Sequence, residues 1–189
     1  MRPRPGEVLH FSEDRTITEF VPHVARTATD PTAYVWAVGE QHAPSYWFPR
    51  QCPRAMAWST PRTSDSDRLR VLGPSAARVH MIEYGWLRRV QVAEVYAYRF
   101  SDAGFEPYGD PSDPHAFVAR RPVRPFGPPE PLGDLLALHQ EAGIEVRLVD
   151  SLWPWWESVV TSSVGFSGIR LGNAAGSDGR NPRVTPATP

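Results

Sequence analysis

Lysine is missing. All twenty basic residues of this 189-residue chain are arginines. No lysine Schiff base can form, pyridoxal phosphate has no amine to anchor it, and a Walker-type phosphate loop would lack its cation. Cysteine is nearly missing: Cys52 stands alone, which excludes an internal disulfide and a cysteine cluster for zinc. The histidines His10, His23, His42, His80, His115 and His139 contain no HExxH and no pair one helical turn apart, so no metal is expected. There is no GxSxG, hence no hydrolase of the nucleophile-elbow kind. No run of about twenty apolar residues occurs, and the opening "MRPRPGEV" lacks the apolar stretch of a signal peptide. The expectation is a cytoplasmic protein with no membrane partner. With a net charge of −1, no global field draws the chain to nucleic acid.

What the chain does have is aromatic and apolar. Hydrophobic residues make up 41%, including seven Trp, six Tyr and eight Phe, enough for a core and for pocket walls. The length suits a single α+β domain over 1–171. Residues 172–189, "GNAAGSDGRNPRVTPATP", have almost no apolar content and read as a flexible tail.

Strand signals fall at 7–11, 33–38, "RAMAW", 78–85, 93–100 and 144–150. "HAFVARRPVRPF" (115–126), broken by Pro122 and Pro125, reads as an edge strand. "SDAGFEPYGDPSDP" reads as a long loop, and 60–75 as a loop with one short turn. Two helices are expected: "PLGDLLALHQEAGI", stopped by Gly143, and "LWPWWESVVTSS", with Pro154 in its first turn. Without a strand–helix alternation, the fold class is α+β with a bent, largely antiparallel sheet and a few helices.

Four stretches carry candidate chemistry. In "VLHFSED" (8–14), the two-residue period puts His10 and Ser12 on one face and Leu9 and Phe11 on the other. If the latter pair faces the core, His10 and Ser12 face a groove or solvent. In "WFPRQCPR" (47–54), Arg50 and Arg54 can fork onto a phosphate or carboxylate, while Cys52 has no base partner at any evident spacing. "FEPYGDPSD" (105–113) offers Glu106, Asp110 and Asp113 for acid/base work or for stabilising positive charge. "GFSGIRL" places Ser167 and Arg170 beside a turn, where they can meet an anion. "LWPWWE" reads as core, since no basic track accompanies it.

The segments "LHFSEDRTITEF", "VWAV", "YWFPRQCPR", "DSLWP" and "FSGIRL" resemble a family of bacterial proteins of unknown function, over residues 8–173. A more distant likeness is to the ADP-ribosyltransferase fold of the small rifamycin-modifying type. "VLHFS" is similar to its first strand bearing His, and "YVWAV" to its second strand bearing an aromatic. "VYAYRFSDAGFEPYGD" is similar to the later strand and acid, and "HAFVARRPVRPF" to the extended segment that follows. The resemblance implies a split sheet and NAD as co-substrate. It implies that His10 bonds a ribose and that Trp36, or Tyr34 or Tyr46 in its stead, walls the nicotinamide. Glu106 or Asp110 would be the catalytic acid, and Arg50 or Arg54 would take the diphosphate. Trp stands here for the family's Tyr, "FEP" for "FED" and "ARRP" for "TREP". The acceptor would be a small molecule or a protein. The alternatives are an NAD-independent small-molecule enzyme of a biosynthetic pathway, using His10 and a loop carboxylate, and a non-catalytic small-molecule-binding protein.

Overall fold

The computed structural model describes residues 1–24, 31–110 and 113–177, with Asp110 and Asp113 placed by their backbone alone. The chain gathers into two compact units. One takes Met1–Arg50 and Ala93–Gly133; the other takes Gln51–Val92 and the chain from Asp134 onward. The expected single-domain span holds both. Each unit mixes strands and helical turns, and among the described residues the strand pairing is antiparallel except for one parallel contact. The fold class is the α+β one expected.

The first unit is built from β1 (Glu7–Ser12), β2 (Val35–Ala37), β5 (Tyr96–Ser101), β6 (Glu106–Asp110), β7 (Asp113–Ala119) and β8 (Glu130–Pro131). They form two three-stranded sheets, β1-β5-β8 and β2-β7-β6. The sheets meet at one antiparallel bridge, where Leu9 and Val38 exchange backbone hydrogen bonds of 2.9 and 2.8 Å. Register places Val8 opposite Phe100, His10 opposite Tyr98 and Ser12 opposite Tyr96. Directly opposed residues share a face, so these six side chains lie together. Phe20 covers them: its ring centroid is 4.9 Å from Tyr98, 5.2 Å from Phe100 and 4.8 Å from His10. A bridge from Phe20 to Val123 holds that cover in place.

Here the sequence expectation is corrected. Leu9 is buried, but so are Val8 and Ser12 on the opposite face, and His10 between them is half-buried. The two-residue period is right; the His10 face, expected to look onto a groove or solvent, is partly covered. The segment around Phe20 folds back onto it, which a strand-by-strand reading cannot foresee. Two further corrections concern the 101–119 region. Glu106–Asp110 is a strand rather than loop, and β7 lies between β2 and β6 rather than at an edge. The prolines that argued for an edge, Pro122 and Pro125, come after the strand has ended at Ala119. Pro114 sits beside the bulge at Tyr108/Gly109, where a missing N–H does least harm.

The second unit contains β3 (Arg54–Trp58), α1 (Asp65–Asp67), β4 (Arg78–Glu83), α2 (Leu87–Val92), α3 (Leu135–Glu141), β9 (Glu145–Val149), α4 (Trp153–Val160) and β10 (Gly165–Ile169). Its sheet runs β10-β3-β4-β9, with β4 and β9 parallel. The 60–75 stretch is more helical than expected: Ser64 caps α1 through Asp67 N–H, and the chain runs on into a wide helical turn, Arg68–Leu72. The core joins Ala55, Ala57, Val79 and Met81 of the sheet to Trp153, Trp156 and Val159 of α4. Gly168 is required by this packing. A Cβ there would meet Leu171 at 2.5 Å and Trp156 at 2.8 Å.

The ordered chain also goes past the expected limit at 171. Leu171–Asn173 forms a 3-10 turn, Ala174 is buried, and Asn173 donates to the Gln51 carbonyl at 2.8 Å. Glu83 anchors the segment. Its buried carboxylate accepts from Ala175 N–H through both oxygens, each at 3.0 Å, and from Leu152 N–H at 3.3 Å. The remainder of the expected tail, 178–189, lies outside the described residues, as does the expected loop at 25–30.

Glu83→Ala leaves two backbone donors without their acceptor. Urea unfolding is expected to show a loss of about 3 kcal/mol; a change within about 0.5 kcal/mol, the usual scatter of surface substitutions, would refute the anchoring role.

Candidate functional site

Antiparallel strands joined at Leu9/Val38 would next be joined by Phe11 N–H and the Trp36 carbonyl. Instead the His10 imidazole fills that place, its Nδ1 2.7 Å from the Trp36 oxygen. Beyond Leu9/Val38, β1 and β2 have no further ladder pairing among the described residues, and a side chain closes the gap. A carbonyl only accepts, so Nδ1 is the donor and Nε2 carries the lone pair of the neutral ring. The ring is half-buried. Loss of water pushes its pKa down to about 4; Arg50 and His23 act in the same direction, and the Trp36 carbonyl opposes them. His10 is therefore a neutral base at pH 7.

Trp36 lies opposite Val118, and Val118 opposite Glu106. Trp36 and Glu106 thus share one face, with Cα atoms two strand spacings or ~10 Å apart. Tyr108, two residues after Glu106, is on the same face. The rings of Tyr34, Trp36 and Tyr108 meet edge to face, with centroid separations of 5.6, 5.9 and 4.9 Å. The Trp36 indole N–H is buried without a hydrogen-bond partner. Arg120 lies over Tyr34, 5.1 Å from the ring centroid, and 3.8 Å from a Glu106 carboxylate oxygen. Both members of that ion pair are well exposed, so it holds Glu106 only weakly. The result is an aromatic floor bordered by one carboxylate and one guanidinium.

The other expected residues distribute as follows. The Tyr46 ring stacks on Phe11 at 6.4 Å, and Arg50 is tied near β1 by its backbone N–H, which donates to Glu13 at 2.9 Å. Ser12 is buried, and its hydroxyl accepts the Asp14 N–H, which closes the turn out of β1. Asp110 ends β6, and its side chain, like that of Asp113, lies outside the described ones. Arg50 and Arg54 fall in different units. Arg54 is buried, with Nη1 donating to the Cys52 carbonyl at 2.9 Å. Burial pushes the Cys52 thiol up to about 12, which makes it inert as a nucleophile. Ser167 sits on β10, and Arg170 starts the following turn with φ of 55°.

Two features of the second unit were not visible from spacing. His80 and His139 are fully buried and bonded to each other, although 59 residues separate them in sequence. A groove of about 530 Å³ is lined by Ser75, Leu87, Leu136, Gln140, Ile144 and Leu148, among others. Among the described residues no group of three or more His, Cys, Asp or Glu can hold a metal ion. No helix among them is long and apolar enough to cross a membrane.

A family model matches residues 9–174. The chain belongs to DUF6886, a family of unknown function. No curated protein and no solved structure matches it. Within DUF6886 the match begins at Leu9, one residue before the imidazole that closes the β1–β2 gap, and ends at Ala174, beside the residue that Glu83 anchors. It spans both the aromatic floor and the buried histidine pair.

The folded His10 pKa lies below the ordinary 6.5. Between about pH 6.5 and 4 the unfolded chain binds a proton that the folded one refuses. Stability is fully present above pH 6.5 and falls as the pH drops towards 4. NMR of the imidazole is expected to show the Nδ1–H form at pH 7 and a titration midpoint near 4; a midpoint near 6.5 would contradict the burial argument.

Proposed function

We propose that this chain is an ADP-ribosyltransferase-like enzyme that binds NAD and cleaves the bond between nicotinamide and ribose. The observation that carries the reading is the His10–Trp36 contact at the parting of β1 and β2. It leaves a neutral imidazole with a basic Nε2, beside a sheet that also bears an aromatic floor and the carboxylate of Glu106.

The chemistry divides among these residues. His10 Nε2 accepts a hydrogen bond from a ribose hydroxyl, and the floor around Trp36 and Tyr34 packs against the flat nicotinamide. Breaking the glycosidic bond sends its electron pair to the nicotinamide nitrogen and leaves positive charge on the ribose C1′. The Glu106 carboxylate stabilises that charge as it develops. Arg50, held near β1 through Glu13, meets the diphosphate. A nucleophilic oxygen or nitrogen of the acceptor, a small molecule or a protein, then bonds to C1′ and gives up its proton.

One observation favours a second reading. The groove of about 530 Å³ has the size and the largely apolar lining of a small-molecule site, and it belongs to the second unit. A small-molecule-binding protein would fill that groove and ignore NAD.

Calorimetry with NAD and chromatographic detection of free nicotinamide separate the two. Binding is expected in the wild type. Glu106→Gln is expected to slow nicotinamide release by about 100-fold or more, the effect of removing one group that stabilises transition-state charge. His10→Ala is expected to weaken NAD binding. Folded protein that gives no heat with NAD would overturn the proposal.

A further inference from the structure

β9 closes one side of the second unit's sheet. It pairs with β4, and among the described residues no strand pairs with its other side. The two strands differ in cover. Val79–Glu83 of β4 are buried throughout, whereas Glu145 of β9 is exposed and Val146–Val149 are half-buried. An edge of this kind offers backbone N–H and C=O groups as a template for another strand.

Register divides β9 by face. Val146 lies opposite His80, which meets His139 of α3. Val146 therefore lies on the α3 face, with Ile144 and Leu148 two residues to either side. The groove of about 530 Å³ runs there, between these three residues and Leu136 and Gln140, one turn apart on α3. Glu145 and Arg147 lie on the other face. The Arg147 Nε–H donates to Glu145 at 2.7 Å, and its two other nitrogens donate to the carbonyls of Val71 and Leu72. These bonds hold the guanidinium in place beside the edge.

The order along the edge is apolar, acid, apolar, base, apolar: Ile144, Glu145, Val146, Arg147, Leu148. Turned end for end, it matches itself. We propose that β9 is a self-association edge, at which two copies of this chain pair β9 with β9 antiparallel about Val146 and join two four-stranded sheets into one. Glu145 of each copy then stands opposite Arg147 of the other, Val146 opposite Val146, and Ile144 opposite Leu148. Opposed residues share a face, so the charges meet on one face and the apolar side chains on the other. The charges also select the register. A centre at residue 145 sets Glu145 against Glu145, and a centre at residue 147 sets Arg147 against Arg147. Parallel pairing in register does both, and like charges directly opposed destabilise. The two-fold axis keeps both α3 helices on one face of the joined sheet. The two grooves, each lined by Val146, adjoin across that axis.

Sedimentation velocity of the full chain between about 1 and 300 µM covers the affinities of small interfaces. A dimer that grows with concentration is expected. Hydrogen exchange at the two ends of that range is expected to slow within residues 144–149 and to stay unchanged at β10, the other edge of the sheet. Glu145→Arg sets arginine against arginine twice across the axis and is expected to weaken the dimer about tenfold or more. A chain that stays monomeric at about 300 µM would overturn the proposal and leave the edge to an extended segment of another protein. A dimer in which residues 144–149 exchange no more slowly, or one that Glu145→Arg does not weaken, would overturn it too. The wild-type exchange data decide the interface even if the variant does not fold.

Discussion

The two backbone hydrogen bonds between Leu9 and Val38 are the joint on which the first unit turns. That pair is an isolated bridge between the sheets β1-β5-β8 and β2-β7-β6, with no further ladder pairing among the described residues. An exposed gap between strands is expensive, because each unpaired backbone group loses its partner. The chain meets the cost at the first open position with a side chain. His10 gives the Trp36 carbonyl the donor that Phe11 would have supplied. Every property of the candidate site follows from this substitution: the fixed tautomer, the free Nε2, and the placing of the imidazole beside the strand that carries Trp36. Phe20 then seals the far side of the ring and removes the water that would let it charge.

Periodicity made much of this architecture readable. β1, β3, β4, β5 and β9 alternate or run apolar in short stretches between turn formers. α3 and α4 show a leucine face and a tryptophan face, with Gly143 and Pro154 where a stop and a start belong. What escaped is what local pattern cannot hold. β6 is hidden because Pro107 and Gly109 look like turn signals, yet both are tolerated beside a bulge. β7 looked like an edge because its prolines were counted with it rather than after it. β10 carries Gly165 and Gly168, which weaken any strand pattern; they are there because Trp58, Trp156 and Leu171 leave no room for a Cβ.

The candidate residues show the same division. His10, Trp36 and Glu106 stood out as residue types, and their placement in one unit follows from strand order. That His10 bonds a backbone carbonyl depends on where two strands part, which no spacing records. The pair formed by His80 and His139 has no local signature at all. The choice of arginine for every cation fits the interior as well as the surface. Arg54 is buried, and Arg78, Arg99 and Arg147 are half-buried. Arg99 and Arg147 each direct several N–H groups at fixed acceptors, a task for a planar fork rather than a hydrated ammonium.

The parallel contact between β4 and β9 has a consequence for how the molecule is made. β4 ends at Glu83 and β9 begins at Glu145, and between them the chain lays down all of β5 to β8. A ribosome therefore delivers half of the second unit's sheet, then the remaining strands of the first unit, and only then β9 and β10, which complete the second. The first unit can close while the second waits with β3 and β4 each unpaired on one side. Loop closure over so long a separation slows that last step. During synthesis the order of completion is thus the order of the units, and the exposed side of β4 is the edge that a chaperone or a neighbouring nascent chain would meet.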